Sequence, residues 1–162
     1  MLLYHGSNKV IEKPDLSKSR KFLDFGKGFY VSVSKKQAEN RAKLTKTYLE
    51  SSEQVVNIYE FAKTERLKIL NFQTADVSWL NFVLTNRQSE ITPTHDIVIG
   101  PTANDNTILV IDQFFQGIYD HLENPKEFVI KLLQPEKLET QYLFATENAL
   151  NRLTFKEAYN IW

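Results

Sequence analysis

The chain has 162 residues, 42% hydrophobic and 25% charged, which suits one domain with one core and excludes a disordered or fibrous chain. It has no cysteine, which excludes disulfides, thiolate metal sites and a cysteine nucleophile. Net charge is zero, yet residues 1–49 carry eleven Lys/Arg against four Asp/Glu, +7, so the remainder carries −7; the excess is either a solvated basic face or an anion site for a nucleotide diphosphate or an RNA backbone.

Leu2–His5 reads as a short strand, and Asn8–Phe25, rich in turn and charged residues, mostly as loop. Gly28–Val33 alternates and is rich in β-formers, so it predicts a strand. Ser34-Lys35-Lys36-Gln37 has the form of a capping box, opening a helix to about Leu49 with Ala38, Ala42 and Leu49 inside. Gln54–Phe61 and Arg66–Leu70 read as strands, arranged as a hairpin, and Thr74 as the cap of a helix through Trp79, Phe82 and Val83. Asp96–Pro101 is a buried strand stopped by Gly-Pro. Asn104–Thr107 forms a turn or cap before a helix over Ile108–Gln116. Asn124-Pro125 caps a helix through Leu133. Tyr142–Ala145 is the final strand and Thr146–Leu153 a short helix. The sum is an α+β chain of short strands without regular βαβ alternation. The beginning has no basic, apolar leader, and no apolar run approaches a membrane span, so a soluble cytoplasmic protein is expected.

Familiar chemical motifs are missing. The sequence has no GxGxxG at a strand–helix junction, no Walker lysine and no GxSxG elbow. His5, His95 and His121 have no metal-ligand spacing, so no metal is expected. Two local clusters remain. In Tyr4-His5-Gly6-Ser7, a histidine at a strand end precedes glycine and a hydroxyl; alone this reads as a turn. In Asp24–Tyr30, glycines flank Lys27 and an aromatic pair enters a strand, as in a glycine-rich turn or a close ligand approach.

Together the clusters resemble the His-Tyr-Glu branch of the ADP-ribosyltransferase superfamily, which contains diphtheria toxin and the poly(ADP-ribose) polymerases. The matching text is His5-Gly6-Ser7, then Phe25-Gly26-Lys27-Gly28-Phe29-Tyr30, then the helix from Ser34. Over nearly its full length the chain is similar to a bacterial group of uncharacterised ADP-ribosyltransferase-like proteins, through Pro14-Asp15-Leu16, Ser19-Arg20, Gln37-Ala38, Asp96–Pro101 and Gln141-x-x-Phe144-x-Thr146-x-x-Ala149-Leu150.

The resemblance implies a single domain of ADP-ribosyltransferase-like fold, a split sheet of short mixed strands with flanking helices, and NAD as substrate. His5 would meet ribose hydroxyls, the Gly6 backbone and Ser7 the nicotinamide carboxamide, and Tyr30 the nicotinamide ring. Gly28 would allow close approach, and Arg20 would pair with the diphosphate. Two positions depart from the branch. Asn40 and Arg41 stand where the polymerases have a second aromatic, so Arg41 would stack by its guanidinium plane. Gln141 stands in place of the glutamate; it can hydrogen-bond a ribose hydroxyl but brings no charge to a cationic transition state. Glu139, two residues earlier, is either a solvated acid or a carboxylate on the same strand face.

The implied activity is mono-ADP-ribosylation of a macromolecular acceptor by a bacterial toxin-like effector, with a small neutralising antitoxin-like protein as a possible partner. The alternatives are an inactive NAD or ADP-ribose binding module and, ranked last, an RNA-modifying relative.

Overall fold

A computed structural model describes residues 1–49, 53–103, 105–133 and 138–161. It is a mixed α+β structure. Its seven strands are β1 (Leu2–Ser7), β2 (Phe29–Ser32), β3 (Val55–Phe61), β4 (Ile69–Asn71), β5 (Ile97–Pro101), β6 (Thr140–Phe144) and β7 (Leu153–Asn160). They form one sheet in the order β4-β5-β6-β2-β1-β3-β7. Only β4 and β5 run parallel; every other neighbouring pair is antiparallel. Among the described residues five α-helices flank it: α1 (Lys35–Leu49), α2 (Val77–Gln88), α3 (Asp105–Phe115), α4 (Pro125–Leu133) and α5 (Glu147–Leu150).

Strand alternation divides the core between the two faces of the sheet. On one face Val98 and Leu143 meet Trp79, Leu80 and Val83 of α2, Ile111 of α3 and Val129 of α4. Farther along that face Ala38 and Ala42 of α1 cover Val56, with Tyr4 and Tyr159 beside them. On the other face Leu3, Phe29, Val31, Tyr59, Ile97 and Phe144 are closed by Ala149 and Leu150 of α5. Gly6 lets α1 come close: a Cβ there would stand 2.0 Å from the Ala38 carbonyl oxygen and 2.6 Å from the Ala42 nitrogen.

Several expectations need correction. β4 does not form a hairpin with β3 but runs parallel to β5, at the far end of the sheet. Asp96 explains why: its Oδ2 accepts from Lys68 N at 2.9 Å and its Oδ1 from Thr146 Oγ1 at 2.5 Å, joining the approach to β4, the start of β5 and the cap of α5. Asp76, not Thr74, caps α2, accepting from Trp79 N at 2.8 Å. The capping box at α1 is only half made. Ser34 Oγ accepts from Gln37 N at 3.1 Å, but the Gln37 side chain goes to Ser32 and Thr102 instead of back to Ser34. The last helix stops at Leu150, and Leu153–Asn160 is a strand pairing with β3, so Tyr142–Ala145 is not the final strand. The side chain of Leu49 and residue Asn104 lie outside the described residues; α3 begins at Asp105. Among the described residues no helix is long and apolar enough to cross a membrane.

Candidate functional site

β1 and β3 pair along their whole length, from Leu2↔Glu60 to Ser7↔Val55. On its other side β1 meets β2 at one register position, Tyr4↔Ser32. Beyond it the two strands part, just where the His-Gly-Ser and Gly-x-Gly-x-Tyr segments lie. The His5 side chain spans the parting: Nδ1 lies 2.7 Å from the Tyr30 carbonyl oxygen. The ring rests on Phe29, with centroids 4.4 Å apart. A carbonyl only accepts, so Nδ1 carries the proton and donates. Burial lowers the His5 pKa to about 4; the hydrogen bond to Tyr30 opposes the shift and the Arg41 charge adds to it. At neutral pH the imidazole is therefore uncharged, and Nε2 is a hydrogen-bond acceptor.

Tyr30 is anchored at its own hydroxyl. It donates to Gly26 O at 2.7 Å and accepts from Phe25 N at 3.1 Å. Gly26 has φ of +86°, which turns its carbonyl back toward the ring and favours glycine there. Burial raises the phenol pKa far above the ordinary value, and the Asp24 charge adds to this, so Tyr30 stays neutral. The ring is fixed in place, partly buried against Phe25 and the α2 cluster.

Gln141 stands on β6 between Ser32 of β2 and Gly100 of β5. Its neighbours are short, leaving room for the side chain to reach Asp24, where Nε2 lies 3.5 Å from Oδ2. Asp24 Oδ1 accepts from both Nε (2.8 Å) and Nη2 (2.6 Å) of Arg87, and its Oδ2 from Ala103 N at 3.3 Å. The two charged side chains are 10% and 20% exposed, so this is a largely buried ion pair.

Register sorts the remaining candidates. Tyr30, Ser32 and Gln141 share one face of the sheet, whereas His5 alternates with Tyr4 and lies on the side of Phe29 and Val31. His5 and Tyr30 thus meet through the Tyr30 main chain and not ring to ring. Ser7 is buried and Gly6 is covered by α1. Gly28 lies against Leu143 and Phe144, and its carbonyl accepts from Ser19 Oγ at 2.9 Å, which holds the exposed Arg20 beside the glycine segment. Arg41 is exposed on α1, close enough to act on His5. Glu139 is exposed just before β6, its carbonyl accepting from Thr102 N at 2.7 Å. Among the described residues no group of three or more His, Asp or Glu can hold a metal.

Two neighbouring features escaped sequence reasoning. Arg87 and Thr102 lie far along the chain from the motif segments they join, and nothing in their local sequence marks them. A cavity of about 290 Å³ also opens on the far side of the Gly26–Lys27 turn, walled by Phe25, Phe72, Phe82 and Leu143.

A family model described as "Protein of unknown function (DUF3990)" matches residues 1–155, nearly the whole chain. The chain belongs to the DUF3990 family. No curated protein and no solved structure matches it. The DUF3990 match takes in β1 to β6 and the first residues of β7, Leu153 to Phe155, so every residue of the site lies within it.

Proposed function

We propose that this DUF3990 member is an NAD-binding mono-ADP-ribosyltransferase that transfers ADP-ribose to a macromolecular acceptor inside a bacterial cell. The observation that carries the reading is the parting of β1 from β2 beyond Tyr4↔Ser32, spanned by His5. It gives a neutral imidazole whose Nε2 accepts a hydrogen bond, suited to a ribose hydroxyl. On the opposite face of the sheet the Tyr30 ring is fixed by two hydrogen bonds and suited to a flat base. Cleavage of the nicotinamide–ribose bond passes through an oxocarbenium-like state, as in glycoside hydrolysis, and depends on holding the dinucleotide with its anomeric carbon open to the acceptor. Arg20 and the basic N-terminal third supply positive charge for a diphosphate. A neutralising antitoxin-like partner belongs to the same reading.

The test is incubation with labelled NAD and a cell lysate. Label on a macromolecule, or free nicotinamide, is expected; neither product at any concentration that saturates binding sinks the enzyme. Gln141 favours a second reading, a module that binds NAD without turning it over. Calorimetry then gives heat of binding with no product.

A further inference from the structure

We propose that Asp24 is a positioning residue for Gln141, holding its amide so that Nε2 points inward and Oε1 outward, as the acceptor that meets a ligand hydroxyl. This rests on the transferase reading for its consequence, but not for its geometry. A carboxylate only accepts hydrogen bonds, so the Gln141 atom 3.5 Å from Asp24 Oδ2 must be the amide nitrogen. The opposite rotamer would set two oxygen acceptors against each other. Asp24 is itself held: Arg87 takes Oδ1 with two N–H groups, and Ala103 N approaches Oδ2. Both carboxylate oxygens are thus engaged, Oδ1 by Arg87 and Oδ2 by Ala103, which restrains the direction in which Oδ2 faces. Gly100 and Ser32 on either side of Gln141 leave its side chain room to take this orientation.

The site thus holds one buried carboxylate, at Asp24, next to a neutral side chain at 141. Placing a second carboxylate at 141 would set a like charge beside Asp24, whose own charge Arg87 meets at Oδ1, so the new carboxyl would hold its proton more tightly with Asp24 present than without it. Gln141→Glu alone is therefore the wrong way to add catalytic charge here. Gln141→Glu combined with Asp24→Asn keeps one charge.

Carbon-13 NMR titration of Gln141→Glu tests the link without NAD. The new carboxyl is expected to titrate higher with Asp24 present than in the folded double variant, where the Arg87 charge is no longer met by a carboxylate. A titration no higher with Asp24 present than without it overturns the proposal. Should Asp24→Asn prevent folding, the single variant decides by whether the new carboxyl and Asp24 titrate as a coupled pair.

NAD calorimetry gives the functional arm. Asp24→Asn and Gln141→Ala should each weaken binding about tenfold, with no further loss when combined. Additive losses mean that the two residues act separately, and overturn the proposal. Absence of NAD binding by the unaltered protein counts against the transferase reading alone, leaving the titration to judge the Asp24–Gln141 link.

Discussion

His5 makes stability depend on pH. Its pKa is about 4 in the fold against 6.5 for the free side chain, so the folded state disfavours the proton. As pH falls through 6.5 the unfolded chain takes up a proton that the folded chain refuses. Stability is fully present above 6.5 and declines until about 4, by about 3 kcal/mol in all. Urea unfolding at about pH 7 and about pH 4.5 should reveal this loss, and His5→Asn, whose amide nitrogen can still reach Tyr30 O, should remove most of it. Gly6 makes a second prediction at this scale. Gly6→Ala forces a methyl against the Ala38 carbonyl and should cost about 3 kcal/mol, read as a lowered urea midpoint. The His-Gly-Ser and Gly-x-Gly-x-Tyr residues could be singled out because the two segments occur together in order, each alone reading as a turn. The Asp24–Arg87–Gln141 chain could not, since its members are 63 and 117 residues apart and acquire their meaning only by contact.

The elements show where periodic patterns carry information. β2 and α1 were legible from alternation and a serine cap, and α4 from Asn124-Pro125. β7 was missed because it is an edge strand: Thr154, Lys156 and Glu157 face water, so its pattern reads as polar and broken. β4 has only three residues, and its parallel partner is set by Asp96, a contact that periodicity cannot announce. The start of α2 separates the two candidate caps. Asp76→Ala should cost about 1 kcal/mol and lower the melting temperature by a few degrees, while Thr74→Ala should leave it unchanged. Equal effects from the two substitutions would contradict the cap assignment.

On the scale of the whole molecule, α+β class could be anticipated from the short strands and helices, but the joining of the strands into one sheet, where a split sheet was expected, and their order could not, because neighbours such as β2 and β6 are distant in sequence. The sheet depends on β7, which meets β3 from Val55↔Asn160 to Phe61↔Leu153. A chain ended after Leu150 would bare the β3 edge and leave Tyr59 without Phe155 against its ring. It should lose its cooperative thermal transition and aggregate, which calorimetry and light scattering would record. The pairing of β2 with β6 also has a consequence in time. A ribosome finishes β2 more than a hundred residues before it makes β6, an interval of roughly ten seconds at ordinary synthesis rates. During it the nascent chain carries His5, Asp24 and Tyr30 but not Gln141. The pairing of β2 with β6 is thus withheld until β6 emerges, and a chain released before then would carry the recognisable motifs without Gln141 beside them.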